Sequence, residues 1–411
     1  METTTWWARP GLEVRDGRLA IAGRDAETIA REHGTPLYVY DLVRIEEQVR
    51  ALQRALTGAG LRHRIRFALK AQREPAFLRF LRGLGSPGTV ESVGIDVCSP
   101  GELRWSLDHG WEPSEISYTG TNLSERDLDV ILDAGVHLNV DLLSQLDRVG
   151  RRAPGSRVGI RVNPRIGAAY PGGGQSYAGD RPTKFGIYPE RLDDAMAIVR
   201  RHGLVVDTVH VHAGYLFLSD ALGQVRETAR RVAEAARSLV DAGCPIDEVN
   251  TGGGLGVPFR PGDEPLDLDA WSESLAKHLG PLDVVVGTEP GEFVAKECAV
   301  HLAEVVTVED RDGTPFLGLD TGWNVLNEHF VYRIPFFPIL CRAADADPVA
   351  PVTVAGHINE GSDLFAEDHP MPEVREGDVV AIPNVGSYNA SMVSAHCLRP
   401  APASVFFTDR M

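Results

Sequence analysis

A lysine at the end of a short apolar run is the residue of this sequence best suited to covalent chemistry. Lys70 stands in the string FALKA, directly after Phe67, Ala68 and Leu69, which read as a buried strand. An amine held in an apolar setting loses its proton more easily, and a neutral amine condenses with an aldehyde. For any single lysine the alternative is a surface position just beyond a strand. The residues that accompany Lys70 decide between these interpretations.

Further reactive residues follow other apolar runs, where the strands of a parallel sheet would end. His212 follows one run, Glu289 follows another, and the string TGGGLG (251–256) follows a third. Backbone rich in glycine can approach a phosphate closely, because it carries no side chains. Each feature alone has a structural alternative, namely a core histidine, a capping glutamate or a tight turn. The candidates at strand ends are Lys70, Asp96, Ser99, Arg161, Asn163, His212, Gly252, Gly253, Gly254 and Glu289.

Together these residues predict pyridoxal 5'-phosphate as the cofactor. Lys70 would form the Schiff base, the glycines at 252–254 would hold the phosphate, and Glu289 would pair with the pyridine nitrogen. A carboxylate there favours the protonated ring, which withdraws electrons strongly from the substrate α-carbon. Such a ring suits decarboxylation better than racemisation. The glycine string is neither a dinucleotide fingerprint nor a Walker loop, because Val257 replaces the third glycine and no GK[ST] follows.

The order of elements along the chain predicts how these residues are positioned. From residue 64 onward, eight short β-branched runs alternate with helical stretches. This order predicts a closed (β/α)8 barrel, whose reacting groups lie at the carboxyl ends of the strands. The predicted strands are 64–69, 93–98, 116–119, 136–140, 157–162, 208–211, 248–250 and 284–286. The predicted helices are 76–84, 102–108, 124–134, 190–202 and 221–242.

A second domain is expected after the barrel, because helical periodicity disappears after about residue 290 and turn-separated β runs remain. Two N-terminal runs, 12–14 and 19–21, are expected to pair with it. We therefore predict that residues 1–40 join the β domain, that 41–288 form the barrel and that 289–411 form the C-terminal β domain. The predicted C-terminal strands are 300–308, 315–319, 352–356 and 379–382. Residues 168–181 are predicted to form a mobile loop beside the site.

The composition favours an enzyme that acts on a small molecule. The 411 residues carry a formal net charge of −17 and no basic run, which argues against nucleic acid and anionic membranes as partners. No signal-like stretch follows the first residues and no apolar run approaches the length of a membrane span, so we expect a cytoplasmic protein. The five cysteines lie far apart without CxxC spacing, which predicts neither a metal site nor a disulfide framework.

Six strings along the chain read as motifs: FALKA, IDVCSPGEL, HVHAG, GGGLG, EPG and GSYNASMVSAHCLRP. In this order they resemble the motifs of the fold-type III pyridoxal phosphate decarboxylases, the family of diaminopimelate, ornithine and arginine decarboxylases. The resemblance implies an alanine racemase-like barrel with a β domain, an amino-acid substrate, and a homodimer with shared active sites. The cofactor-binding residues that it implies are Lys70, Asp96, Arg161, His212, Gly252, Gly253, Gly254, Glu289, Gly291 and Tyr388.

Two departures from the diaminopimelate branch concern the substrate pocket. That branch has EPGR, whose arginine binds the distal carboxylate of the substrate, whereas this chain has EPGE with Glu292. Glu328 aligns with a second carboxylate-binding arginine, while Tyr332 is retained. Two anions in place of two cations disfavour a distal carboxylate and favour a distal amine, guanidine or neutral polar group. Alternatively, Glu292 pairs with Lys296 one helical turn later or lies at the pocket rim.

A third departure concerns the proton donor. The family uses a cysteine in a CES or CDG string, whereas GHINEGSDLF places Asn359 there and Glu360 beside it. Because an amide cannot donate a proton in this role, we expect His357, His212, Lys70, Glu360 or an ordered water to protonate the α-carbon. The predicted catalytic residues are Lys70, His212, Asn359 and Glu360. The predicted substrate-binding residues are Glu292, Glu328, Tyr332, Glu360 and Tyr388.

The leading hypothesis is a pyridoxal phosphate-dependent decarboxylase, a carboxy-lyase acting at the α-carbon of an amino acid other than diaminopimelate. A second hypothesis keeps the cofactor but gives the substrate carbanion another fate, through elimination, C–C bond formation, oxidation or epimerisation. A third is a catalytically silent regulatory homologue. The retention of Lys70, His212 and Glu289 argues against the third, because a binding role needs no cofactor.

Overall fold

The computed structural model describes residues 5–86, 88–89, 91–167, 177–179 and 181–411. Most of the loop predicted at 168–181 therefore lies outside the described residues. Within them, no helix has both the length and the apolar character needed to cross a membrane.

The N-terminal residues form a small sheet and then supply one strand to a larger sheet. The first three strands pair antiparallel in chain order. The runs at 12–14 and 19–21 therefore pair with each other and not with a strand of the larger sheet. They join the C-terminal domain by packing, since Leu12 and Leu19 share a hydrophobic core with Val300 and Ile339. The fourth strand, whose five residues are all buried, pairs directly with strands of the larger sheet. These elements are β1 (Leu12–Arg15), β2 (Arg18–Ile21), β3 (Arg24–Asp25), α1 (Ala26–His33) and β4 (Leu37–Asp41).

Eight parallel strands within the described residues form a closed barrel. Each strand pairs with the next along the chain, and the eighth pairs with the first. Every predicted run coincides with one of these strands to within a few residues, so the predicted (β/α)8 fold is confirmed. The strands are β5 (His63–Ala68), β6 (Val93–Val97), β7 (Ile116–Thr119), β8 (His137–Val140), β9 (Arg157–Arg161), β10 (Val205–His210), β11 (Glu248–Asn250) and β12 (Val285–Thr288).

Helices surround the barrel and connect its consecutive strands. They are α2 (Leu42–Gly58), α3 (Pro75–Arg82), α4 (Pro100–Asp108), α5 (Glu125–Ala134), α6 (Leu143–Arg152), α7 (Leu192–His202), α8 (Leu222–Asp241) and α9 (Leu268–Leu279). The helix α2 precedes the barrel and contacts α9, which closes the outer ring. The predicted helices correspond to α3, α4, α5, α7 and α8, whereas α2, α6 and α9 were missed.

The C-terminal residues form a second, mixed sheet beside the barrel. The strand order is β15-β18-β13-β14-β16-β17, and β4 pairs with both β13 and β19. The four predicted runs correspond to β13, β14, β16 and β18. The elements are α10 (Glu292–Ala295), β13 (Ala299–Arg311), β14 (Thr314–Leu319), α11 (Glu328–Tyr332), β15 (Ile339–Leu340), β16 (Ala350–Ala355), β17 (Leu364–Met371), β18 (Val379–Pro383) and β19 (Ala403–Phe407).

Candidate active site

A cavity of about 300 Å³ lies at the carboxyl ends of the barrel strands, where they meet the C-terminal domain. This volume is at the lower end of the range of small-molecule sites. The predicted residues that line it come from six strand ends and from α10, α11 and the C-terminal segment. They are Lys70, Asp96, Arg161, His212, Gly253, Gly254, Glu289, Gly291, Glu292, Glu328, Tyr332 and Tyr388.

Lys70 follows β5 in a single helical turn, and its side chain is open to the cavity. The backbone N–H of Tyr388 donates to the Ala71 carbonyl over 2.9 Å, which fastens the C-terminal segment to this turn. Desolvation lowers the pKa of Lys70, but Asp96 and further neighbours including Glu289 outweigh it and raise the pKa above its usual value. The expectation of an apolar setting is therefore wrong, because two strand-end carboxyl groups face the amine.

Asp96 is a buried acid with an unsatisfied oxygen. Its side chain is buried, and Oδ1 accepts no hydrogen bond from any described residue. Burial and then the Glu289 carboxylate raise the pKa of Asp96 well above its usual value. Because an unpaired buried carboxyl is costly, this oxygen marks a place where a ligand can supply a hydrogen bond or a charge.

Glu289, which follows β12, is held as a carboxylate by its neighbours. Nε2 of His210 donates to Oε2 over 3.0 Å, and Nδ2 of Asn250 donates to Oε1 over 2.7 Å. Burial favours the neutral acid, but His210, Arg66 and Lys70 outweigh it and lower the pKa of Glu289 to about 2. A fixed anion at the cavity wall can therefore hold a proton on a basic ring nitrogen.

His212 presents a neutral ring to the cavity. Its Nδ1 accepts a hydrogen bond from the Gly253 N–H over 3.3 Å, and the edge of the Tyr177 ring meets it with centroids 4.6 Å apart. Burial, followed by the charges of Lys70 and Arg161, lowers the pKa of His212 well below its usual value. A neutral imidazole in this position can stack on a planar ligand without adding charge.

The glycines after β11 form a backbone wall that excludes side chains. Gly252 and Gly254 have φ values of +69° and +105°, which other residues adopt at a cost. A Cβ on Gly253 would lie 2.3 Å from the Glu289 carbonyl oxygen. Gly253 and Gly254 line the cavity, while Gly252 lies behind them against Val211. This backbone can approach a phosphate in the way that the sequence predicted.

Three other strand-end candidates have structural contacts. Ser99 caps α4 by accepting from the Glu102 N–H over 3.1 Å, so it is not a reacting group. Asn163 donates to the Phe185 carbonyl over 2.8 Å and fixes the segment that follows the loop. Arg161 reaches the cavity between Asp141, whose Oδ1 is 3.7 Å from Nη1, and the Phe185 ring.

Glu292, Lys296 and Glu328, called here the distal cluster, join α10 to α11. Lys296 is fully buried, and its Nζ lies 3.2 Å from Oε1 of Glu292 and donates to Oε2 of Glu328. Glu292 therefore pairs with Lys296, as their helical spacing allowed. Glu292 nevertheless belongs to the site, since both glutamates line the cavity. Two carboxyl groups share one internal cation.

Asn359 and Glu360 are not brought to the cavity of their own chain. Both are exposed between β16 and β17, and Oε1 of Glu360 lies 3.3 Å from Nε2 of His396. Their alignment with the family's proton-donor segment located them in the sequence. The structure does not bring either residue to the cavity that Lys70 lines.

Several lining residues were not singled out by the sequence analysis. Cys98 follows β6, and burial together with Glu102 raises the pKa of its thiol to about 12. Cys98 stands two residues after Asp96 at the end of a strand, and residues i and i+2 of a strand point to the same side. This spacing could have predicted that Cys98 lines the cavity. Tyr177 lies within the segment 168–181 and Lys184 follows it, and neither residue carried a comparable signal. The additional lining residues include Cys98, Thr119, Thr121, Tyr177 and Lys184.

The residues around the cavity fit pyridoxal phosphate. An amine, a neutral imidazole and a fixed carboxylate converge on one space, and glycine backbone forms its wall. Asp96, which carries an unsatisfied oxygen, lines the same cavity. These groups suit the parts of pyridoxal phosphate: the amine suits the aldehyde, the imidazole suits the planar ring, the carboxylate suits the ring nitrogen and the glycine backbone suits the phosphate.

The fold and the cavity define an enzyme of the pyridoxal phosphate class that combines a barrel with a β domain. Residues 42–296 match the family described as pyridoxal-dependent decarboxylase, pyridoxal binding domain. The chain belongs to this family, and it is a pyridoxal phosphate-dependent carboxy-lyase.

Relatives along the whole chain support this placement. The diaminopimelate decarboxylase of Methanothermobacter thermautotrophicus is 35% identical, and the match covers 97% of this chain and 93% of that protein. The diaminopimelate decarboxylase of Streptomyces coelicolor is 31% identical over 93% of this chain and 86% of its own length. The crystal structure of the Helicobacter pylori diaminopimelate decarboxylase complexed with L-lysine superposes with a TM-score of 0.83 at 26% identity, covering 93% of each chain.

Proposed function

We propose that this enzyme decarboxylates an α-amino acid whose distal group is cationic or neutral rather than a carboxylate. The observation that carries the proposal is the pair of glutamates, Glu292 and Glu328, on the wall of the cavity. A distal carboxylate beside them would meet like charges in a buried setting, which is unfavourable.

The chain's own residues divide the work of the proposed reaction. Bound pyridoxal phosphate supplies a ring that withdraws electrons from the carbon losing its carboxylate. Lys70 would attach the cofactor and would then offer an amine that can hold a proton beside the substrate. Glu289 would keep a proton on the ring nitrogen, His212 would pack against the ring, and Gly253 with its neighbours would hold the phosphate, since all of them line the cavity. Tyr388 closes the cavity from the C-terminal segment.

The substrate class can be tested with carboxyl-labelled amino acids. We expect kcat/KM for lysine, ornithine or arginine to exceed that for diaminopimelate. Replacing Glu292 or Glu328 with glutamine should lower kcat/KM for the preferred basic substrate by about 10- to 100-fold, because a hydrogen bond to a charged group contributes about 1.5–3 kcal/mol. Released labelled carbon dioxide is the measurement. Glu309→Gln, at an exposed position of β13, is the matched control.

If the enzyme turns over diaminopimelate as efficiently as the basic amino acids, Glu292 and Glu328 do not exclude a distal carboxylate, and the proposed substrate class is wrong. The same assay addresses the second candidate function, in which the carbanion has a fate other than protonation. Asn359 favours that candidate, because it stands where the family has its proton donor. A simple decarboxylation yields one amine for each carbon dioxide, so a different product mass would support the second candidate.

We propose further that Asn359 and Glu360 act at the cavity of a second copy of the chain in a homodimer. Their exposure outside their own cavity supports this arrangement. The apolar Leu398 also supports it, because it is 90% exposed two residues after His396, which contacts Glu360. Sedimentation equilibrium should give twice the chain mass of 44.7 kDa. Glu360→Gln should change activity but leave that mass unchanged. A monomer with full activity would contradict the arrangement.

A further inference from the structure

The distal cluster has an unusual charge balance for a buried site. Lys296 and Glu328 have no exposed side-chain surface, and Glu292 is nearly as deeply buried. With both carboxyl groups ionised, one cation would face two anions and the cluster would have a net charge of −1. Burial makes an unbalanced charge costly. A proton or a second cation must therefore neutralise the cluster.

The cluster contains carboxylate oxygens that lack a hydrogen-bond donor. Oε2 of Glu328 accepts from Lys296 Nζ and, over 3.2 Å, from Nδ2 of Asn389. Oε1 of Glu328 is buried and accepts from none of the residues that the structure describes. Oε1 of Glu292 lies 3.2 Å from Nζ in an ion pair, and it too is buried without a hydrogen-bond donor among the described residues. Both glutamates line the cavity, so a ligand in it can supply the missing donor.

The groups packed around Glu328 account for its protonation. Lys296 and Glu292 face it from α10 and the turn that follows. Asn389 faces it from the C-terminal segment, and three tyrosines lie near it, namely Tyr38, Tyr332 and Tyr388. Burial and Glu292 raise the pKa of Glu328 to about 8, although Lys296 opposes them. Near neutral pH the cluster therefore holds one proton and carries no net charge.

We propose that Glu328 exchanges its proton for the distal cation of the substrate. The inference rests on the proposed function and narrows the distal group to an ammonium or guanidinium. When the ligand binds, the carboxyl O–H bond of Glu328 breaks, the proton passes to the solvent, and the carboxylate pairs with the incoming cation. The occupied cluster again has no net charge. A neutral distal group leaves the proton in place and gains no ion pair.

Three amines that differ only at the distal end can test this exchange in the cofactor-bound enzyme. The probes are 1,5-diaminopentane, hexylamine, in which a methyl replaces the distal ammonium, and 6-aminohexanoate, which ends in a carboxylate. Each attaches through one amine, so the change in cofactor absorbance gives its affinity. Calorimetry in two buffers of different ionisation enthalpy counts the protons released. The difference between the diamine and hexylamine isolates the distal group.

Below pH 8 we expect the diamine to release about one proton more than hexylamine. The affinity ratio of diamine to hexylamine should rise by up to about ten-fold per pH unit between pH 6 and 8 and then level off, because the ionised carboxylate is the binding form. Glu328→Gln should remove the extra proton and flatten the ratio. Glu309→Gln should keep both. 6-Aminohexanoate should bind more weakly than hexylamine at every pH.

Equal proton release by the two amines, or an extra proton that persists in Glu328→Gln, would overturn the exchange. If that variant does not fold, the affinity ratio of diamine to hexylamine in the wild-type enzyme is sufficient for the test. A ratio that stays constant from pH 6 to 9 overturns the inference. Failure of the proposed function gives a different pattern. The extra proton would then be present while no basic amino acid releases carbon dioxide.

Discussion

Replacing Lys70 with alanine is expected to abolish the visible absorbance of the cofactor-bound enzyme and to lower kcat by at least about 10³-fold. Alanine has no amine to form the imine with pyridoxal phosphate. The substitution also removes a group that can carry a proton within the cavity, where Asp96 and Glu289 raise the pKa of this amine against the effect of desolvation. Absorbance spectra after addition of the cofactor, and release of carbon dioxide, are the measurements.

Two further variants separate attachment from charge. Lys70→Arg keeps a cation but cannot form the imine, so it should behave like Lys70→Ala. Lys184→Ala removes another lysine that lines the same cavity, and it should keep the absorbance. Cofactor absorbance that survives in Lys70→Ala but is lost in Lys184→Ala would show that the wrong lysine has been assigned.

Replacing Lys296 with methionine is expected to lower the free energy of unfolding by about 3–5 kcal/mol, because two buried carboxyl groups then share no counterion. The loss should be smaller at pH 5 than at pH 9, since protonation neutralises both glutamates in acid. In the native protein the pKa of Glu328 is raised by burial to about 8. Its contribution to stability is therefore greatest below the pKa of an unfolded glutamate and declines as the pH rises through 8. Urea unfolding at several pH values measures both effects.

The destabilisation has a specific rescue. Adding Glu292→Gln and Glu328→Gln to Lys296→Met removes the uncompensated charges and should restore most of the lost stability. Lys277→Met, at an exposed position of α9, should change stability by no more than about 0.5 kcal/mol. A Lys296→Met protein as stable as the wild type at pH 9 would mean that the cluster relaxes or fills with water.

The barrel could be predicted from the sequence because its strands are short apolar runs separated by helices. The run at 116–119, for example, is β7 in full. The helix α6 was missed because no side chain caps its start, and its polar residues obscure the buried Leu146 and Val149. The strand β4 was missed because its environment depends on partners near residues 300 and 405. Local pattern carries no information about such distant neighbours.

The site was predictable to the extent that it depends on strand ends. Lys70, Asp96 and Glu289 were selected by position alone, and the structure gathers them around one cavity. The role of Lys296 could not be weighed in advance, because Glu328, its second partner, lies 32 residues further along the chain. The position of Asn359 could not be foreseen either, because its distance from the cavity depends on how β16 and β17 pack and not on local sequence.

The position of β4 has a consequence for how the protein is made. This strand precedes the barrel, yet it is flanked by β13 and β19, which both follow the barrel in the chain. Arg410 also bonds to Asp41 and Glu47, beside the same strand. During synthesis the barrel can thus assemble while β4 still exposes unpaired edges, and the second sheet is complete only once β19 has been made. A chain truncated before β19 would keep one edge of β4 open to pairing with other chains.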